Sequence, residues 1–247
     1  MTHKARLLAA AMLVVCGSPA GSQNVMPADF AYLRAIDPSI DQDLRYAGPV
    51  NFVGRKLPGY DAAECVLRRE VAAALRQVQA ELAPSGLGLR VYDCYRPQRA
   101  VSAMVAWVRD GTPDNGDKRF YPKIEKRSLL AGYISATSLH SSGTAVDLTL
   151  VRTSASASAR TMSKAPCTAT AAERADDSVD MGTGFDCFDL ASRTANATLG
   201  LEQRHARMTL LAAMERHGFK NYAREWWHFA YVKAPRGRSY DFPIAPR

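Results

Sequence analysis

One short block restricts the fold of this chain more than any other, because it places an imidazole and a carboxylate on either side of a tight turn. The block is Ser138-Leu139-His140-Ser141-Ser142-Gly143-Thr144-Ala145-Val146-Asp147-Leu148-Thr149-Leu150. From Gly143 onward its alternation predicts a strand, with one apolar face formed by Val146, Leu148 and Leu150. Asp147 lies on the opposite face with Ala145 and Thr149. A catalytic zinc ion takes three N or O ligands and keeps a position for water, so His140 and Asp147 are two candidate ligands.

A second block, far downstream, offers the third ligand. It reads Glu225-Trp226-Trp227-His228-Phe229-Ala230-Tyr231-Val232 and is typical of an aromatic strand. We predict that His228 binds the metal and that Glu225 is the general base that deprotonates a metal-bound water. Residues three apart point to opposite faces of a regular strand, so both side chains reach one site only if the strand bends or bulges.

Taken together, S-x-H-x-x-G-x-A-x-D followed by E-W-W-H resembles the zinc D-alanyl-D-alanine dipeptidases, relatives of the zinc D,D-carboxypeptidases that act on peptidoglycan. The resemblance spans about residues 28 to 233 and includes further blocks: Asn51-Phe52-Val53-Gly54, Gly59-Tyr60, Tyr92-Asp93-Cys94-Tyr95-Arg96-Pro97 and Asp180-Met181-Gly182-Thr183-Gly184-Phe185-Asp186. It implies an α+β fold, in which a small, mainly antiparallel sheet carries one zinc ion per chain and helices flank the sheet.

The resemblance also assigns roles to three other residues. Arg96, which precedes a proline and is therefore biased to an extended backbone, is expected to stabilise the negative charge that develops on the peptide carbonyl oxygen. Ser138 and Asp186 match family residues that hold the free amino group of the substrate. A negative charge at a fixed distance from the metal would select a free N-terminus.

The implied reaction is the zinc-dependent hydrolysis of D-Ala-D-Ala to two molecules of D-alanine. The nearest alternative is a zinc D,D-carboxypeptidase that trims peptidoglycan stem peptides. An alternative of another class is a non-catalytic envelope-binding domain with a structural zinc, against which Glu225 argues, because a structural site needs no free base. The small dipeptide is the only partner implied, and the oligomeric state stays open.

The N-terminus predicts export. Residues 1–20 contain the basic residues Lys4 and Arg6, an apolar run and then Gly17-Ser18-Pro19-Ala20, the pattern of a cleaved signal peptide. We therefore expect a single domain over residues 21–247 in the periplasm, with lipid anchoring through Cys16 as the alternative. The apolar run is too short for a stable membrane span. The net charge of +8 is scattered along the chain, which argues against a nucleic-acid partner.

Four cysteines remain after removal of the signal peptide, and in an oxidising compartment an even set indicates disulfides. Three pairings are open, and the sequence does not choose among them. We favour Cys65 with Cys94 and Cys167 with Cys187; the alternative is that Cys65 and Cys94 are buried thiols.

Three helices are predicted: Ala62 to Leu82, Pro97 to about Trp107, and Glu202 to His217. A strand over Leu87 to Asp93 precedes the second of them. Residues 152–179 are rich in Ser and Ala at their start and are expected to form a surface insertion. A lid over the site is the alternative role for this insertion.

Overall fold

The structure, a computed structural model, describes residues 24–112, 115–153, 163–234 and 238–247. The helices in this part of the chain are α1 (Leu33–Ile36), α2 (Arg69–Leu82), α3 (Gln98–Arg109) and α4 (Leu201–Arg216). The strands are β1 (Phe30–Tyr32), β2 (Asp41–Gln42), β3 (Val66–Arg68), β4 (Leu87–Asp93), β5 (Ala145–Arg152), β6 (Phe219–Tyr222) and β7 (Glu225–Tyr231). None of the described helices is long and apolar enough to cross a membrane.

The main sheet has the strand order β2-β4-β5-β7-β6. The short β2 is parallel to β4, and every other pair in this sheet is antiparallel. Strands β1 and β3 form a separate antiparallel pair. The prediction of an α+β fold with a mainly antiparallel sheet is therefore confirmed.

Strand register brings the central residues of the sheet together. Asp147 of β5 pairs with Asp93 of β4 on one side and with His228 of β7 on the other. The apolar residues of β5 (Val146, Leu148 and Leu150) are buried in the core, as the alternation of the sequence predicted. Polar residues of three adjacent strands thus meet at one end of the sheet.

The helix predicted from Ala62 begins later than expected. Val66, Leu67 and Arg68 pair with β1 as strand β3, and α2 begins only at Arg69. The helical spacing of Leu67 was misleading because Leu67 is buried as a strand residue. The helix ends as predicted, in a turn that contains Pro84 and stops at Gly86 in the left-handed conformation. The boundaries of α3 and α4 agree with the prediction to within two residues.

Both favoured disulfides are present, Cys65 to Cys94 and Cys167 to Cys187. The second disulfide ties the predicted insertion to the body of the protein, and the Val179 amide also donates to the carbonyl of Leu150 in β5. Residues 163–179 of the insertion are thus anchored. Residues 154–162, the predicted signal peptide and Cys16 lie outside the described residues.

Candidate metal centre

Three side chains converge at the end of the central strands with their ligand atoms pointing at one another. His228 Nδ1 lies 2.9 Å from Asp147 Oδ1 and 3.1 Å from His140 Nε2. His140 Nε2 lies 3.3 Å from the same carboxylate oxygen. Among the described residues, these three form the His/Cys/Asp/Glu group whose atoms are close enough to hold one metal ion.

His140 is held in place by the turn in which it lies and by Cys94, which forms a disulfide with Cys65. It lies in a short 3-10 helix (Leu139–Ser142) that begins at Ser138, whose Oγ accepts from the His140 amide at 3.3 Å, and ends at Gly143 in the left-handed conformation. The ring Nδ1 donates to the carbonyl of Cys94 at 2.7 Å. Because Nδ1 carries the proton, the lone pair of Nε2 is directed at the other two ligands.

Asp147 is buried between the two imidazoles. Burial alone would raise the pKa of its carboxyl, but His140 and then His228 outweigh this and hold the pKa below its usual range. Asp147 is therefore a carboxylate at neutral pH. Two imidazole nitrogens and one carboxylate oxygen are a donor set that zinc prefers in catalytic sites, so the side chains fit this metal.

A bulge in β7 allows Glu225 and His228, which are three residues apart, to point to the same side of the strand. Asn221 pairs with Phe229, but the next residue, Tyr222, pairs with Glu225, so the residues between them on β7 bulge out. The Asn221 side chain donates through Nδ2 to the carbonyls of both Glu225 and His228 at 3.0 Å, which bridges the bulge. Both side chains consequently line the same cavity.

Glu225 is a buried carboxyl, only 8% exposed. Burial, reinforced by the negative charge of Asp147, raises its pKa to about 8. A metal ion bound beside it would act in the opposite direction and favour the carboxylate. Glu225 is thus a buried titratable carboxyl that lines the same cavity as the candidate ligands.

Arg96 is held beside the three ligands by Asp93. Its Nε and Nη2 lie 2.9 and 2.8 Å from Asp93 Oδ2, and Nη2 lies 3.7 Å from Asp147 Oδ2. The guanidinium stacks 4.9 Å from the ring centroid of Tyr46. Asp93 is itself buried, accepts a hydrogen bond from Tyr60 at 2.6 Å and lies 3.3 Å from His140 Nδ1.

Asp186 and Ser138 line the same cavity as the ligands. Asp186 has the left-handed backbone conformation, with φ of 56°, and accepts a hydrogen bond from the Tyr46 hydroxyl at 2.8 Å. Burial, followed by the negative charge of Asp147, raises the pKa of Asp186 well above its usual range. A cationic ligand group placed here would counter both effects.

The cavity has a volume of about 550 Å³ and is lined by all seven residues that the sequence singled out. The described part of the predicted insertion contributes no lining residue; one wall is instead formed by the segment from Leu130 to Leu139, together with α3. The structure therefore brings the predicted residues together, and their chemical roles stay predictions.

Sequence reasoning missed two residues of this site, Asp93 and Tyr46. Asp93 stands at the end of β4 within a block already noted for Arg96, and an acidic residue at the end of a predicted strand, three residues before an arginine, was a usable signal. Tyr46 had no such signal, because it lies in a short 3-10 helix and reaches Arg96 and Asp186 only through the tertiary structure.

Comparison with known proteins agrees with the family resemblance seen in the sequence. The profile of the peptidase M15 family, described as D-ala-D-ala dipeptidase, matches residues 26–162 and 153–245. A D-alanyl-D-alanine dipeptidase of Enterococcus faecium is 31% identical over 221 residues, which cover 89% of this chain and 100% of that protein. One of Streptomyces coelicolor is 33% identical over 226 residues, with 89% and 100% covered. One of Escherichia coli is 29% identical over 208 residues, with 84% and 86% covered.

Proposed function

The chain belongs to the peptidase M15 family of D-Ala-D-Ala dipeptidases, and on this basis we propose that it is a zinc-dependent dipeptidase that hydrolyses D-Ala-D-Ala to two molecules of D-alanine. One observation supports this most strongly. The candidate ligands, the buried Glu225 and the guanidinium of Arg96 all line a single cavity.

His140, Asp147 and His228 would hold the zinc ion. When bound, the ion would supply Lewis acidity that lowers the pKa of a bound water. Glu225 takes the proton of the attacking water and later gives it to the leaving amine, because its carboxyl lines the same cavity as the candidate ligands, and the burial that favours its neutral form is opposed by a metal ion bound beside it.

Arg96 stabilises the negative charge that develops on the scissile carbonyl oxygen. It is always protonated, it is half-buried beside Asp147, and Asp93 fixes the orientation of its planar donor group. A donor that is already oriented needs no reorganisation during the reaction, which is the condition for strong oxyanion stabilisation.

Asp186, with Ser138 nearby, would bind the ammonium group of the substrate. The Tyr46 hydrogen bond holds the Asp186 carboxyl in place, and a bound ammonium group would favour its charged form over the neutral acid that burial favours. A substrate without a free amino group lacks this ion pair, so the site selects a free N-terminus.

We also propose that the protein acts outside the cytoplasm, in the periplasm, after removal of residues 1–20. The signal-like N-terminal sequence and the two disulfides support this location, because disulfides persist in oxidising compartments. The mass of the mature protein from a membrane-free periplasmic extract tests it, and attachment to the membrane fraction would favour the lipid anchor at Cys16.

The test of the function is D-alanine release from D-Ala-D-Ala by purified mature protein, with chelator and with zinc added back. N-acetyl-D-Ala-D-Ala and a D-Ala-D-Ala-terminated stem pentapeptide serve as comparison substrates. We expect release that the chelator abolishes and zinc restores, with the acetylated dipeptide hydrolysed at least about tenfold more slowly. Faster hydrolysis of the pentapeptide than of D-Ala-D-Ala would favour the D,D-carboxypeptidase over the dipeptidase. If folded, zinc-loaded protein released no D-alanine, the proposal would be refuted.

A further inference from the structure

Asp186 lies in a turn whose backbone conformation has to be imposed by the surrounding structure. Its φ of 56° is in the left-handed region, which is unfavourable for a residue with a Cβ. The side chain is buried and lines the cavity of the candidate ligands. A residue in such a conformation keeps it only where contacts from elsewhere in the protein fix the chain around it. These contacts therefore decide where the Asp186 carboxyl lies.

One residue of the insertion, Cys167, holds the chain on both sides of Asp186. Before Asp186, the Gly184 amide donates to the Cys167 carbonyl at 2.8 Å. Directly after Asp186, Cys187 forms the disulfide with the same Cys167. Only Phe185 and Asp186 lie between the two points of attachment, so this turn has little freedom to move while both links are intact.

Cys167 is itself fixed to the body of the protein. Its amide donates to the carbonyl of Arg119 at 2.8 Å, and the Phe188 amide donates to the carbonyl of the neighbouring Phe120, also at 2.8 Å. Both sulfur-bearing residues are buried, Cys167 at 5% exposure and Cys187 at 0%. The disulfide thus connects the Asp186 turn to a segment that is already anchored, which is what a support for a binding residue requires.

We propose that Cys167 is a positioning residue: through its disulfide with Cys187 it holds the Asp186 carboxyl where the ammonium group of the dipeptide binds. This inference rests on the proposed role of Asp186 in binding that group. The insertion then contributes to the selection of a free N-terminus, although its described residues do not line the cavity.

A simpler alternative is that the disulfide only stabilises the fold by restricting the unfolded chain. In that case two other contacts would suffice to place Asp186. These are the hydrogen bond from the Tyr46 hydroxyl and the stacking of Phe185 on Tyr92, with ring centroids 4.6 Å apart. The two explanations differ in whether loss of the disulfide changes substrate selection or only stability.

The experiment measures binding, so that it does not depend on turnover. Calorimetry gives the affinity of zinc-loaded Glu225→Gln protein for D-Ala-D-Ala and for N-propionyl-D-alanine, in which hydrogen replaces the ammonium group. The ratio of the two dissociation constants is the ammonium preference. It is measured with the disulfide intact, after Cys167→Ala with Cys187→Ala, after Asp186→Asn, and after all three substitutions together.

The other disulfide provides the matched control. Cys65→Ala with Cys94→Ala removes a link between residues 29 apart in sequence, compared with 20 for Cys167 and Cys187, so the chain-entropy model predicts a similar loss of stability. If the Cys167→Ala, Cys187→Ala protein does not fold, Cys167→Val with Cys187→Ala replaces it, because valine refills part of the space of the sulfur atoms.

We expect the intact protein to bind D-Ala-D-Ala at least about tenfold more tightly than N-propionyl-D-alanine. Loss of the Cys167–Cys187 disulfide should reduce this preference at least about threefold when Asp186 is present, and should have no further effect after Asp186→Asn. The Cys65–Cys94 control should retain the preference, whatever its effect on zinc affinity.

Three results would overturn the proposal: a preference that survives loss of the Cys167–Cys187 disulfide, an equal decrease in the Cys65–Cys94 control, or an equal decrease in the Asp186→Asn background. An unchanged preference after Asp186→Asn alone would instead refute the amine-binding role on which the inference rests. Failure of the wild-type protein to hydrolyse any peptide would leave the binding ratios interpretable and would count against the proposed reaction alone.

Discussion

Replacement of Glu225 by glutamine should inactivate the enzyme and at the same time stabilise the metal-free fold. The Glu225 carboxyl is buried, and its pKa rises from the ordinary value of 4.5 to about 8 on folding. The folded protein therefore holds a proton that the unfolded chain releases between these two pH values. Stability of the wild-type protein consequently falls as the pH rises through this window, whereas glutamine does not titrate.

The magnitude follows from the same shift. Each pH unit between the two pKa values changes the folding equilibrium about tenfold, so at pH 7 the wild-type protein loses about 3 kcal/mol relative to pH 4 that the variant retains. Below the pKa that Glu225 has in the unfolded chain, the difference in unfolding free energy between the two proteins becomes independent of pH. Any fixed effect of the glutamine amide on packing is removed when only the pH-dependent part is compared.

The assay is denaturant unfolding of both proteins without metal at several pH values from about 4 to 8. Glu215→Gln, which alters an exposed carboxyl of α4, should show no such trend. With zinc bound the trend should weaken, because a nearby dication favours the carboxylate. Hydrolysis should fall by at least about a hundredfold. A stability difference that does not change with pH would refute the argument that Glu225 is desolvated in the folded protein.

Three further outcomes are expected. Asp93→Asn should weaken zinc binding about tenfold and lower kcat, because the variant loses the charge that orients Arg96 and faces the His140 ring. Chelator competition measures the zinc affinity, and an unchanged circular dichroism spectrum shows that the variant is folded. Unaltered zinc affinity would contradict the prediction. Gly143→Ala should destabilise the protein by at least about 2 kcal/mol, since φ is 72° and the added Cβ would lie 2.3 Å from a Phe30 ring carbon; an unfolding midpoint equal to wild type would contradict it. Loss of the Cys167–Cys187 disulfide by double serine substitution should remove about 3 kcal/mol, because the closed loop spans 20 residues; denaturant unfolding that matches the oxidised wild type would contradict it.

Several features of the fold were predictable because they depend on neighbours in the chain. The tight turn at Gly143, the alternation of β5 and the approximate extents of α3 and α4 each follow from local patterns. The start of α2 was not predictable in this way. Residues 66–68 have an apolar pattern compatible with a helix, and pairing with β1 decides that they form a strand.

The sequence by itself determined the chemistry that is available: two imidazoles, a carboxylate, a separate glutamate and an arginine before a proline, in blocks whose order identifies the family. Only the tertiary structure decided how these groups meet. The bulge that turns Glu225 and His228 to one cavity depends on β6 and Asn221, and the orientation of Arg96 depends on Asp93 and Tyr46. These arrangements need contacts between distant segments, whose free energy is not encoded in the local pattern of any one of them.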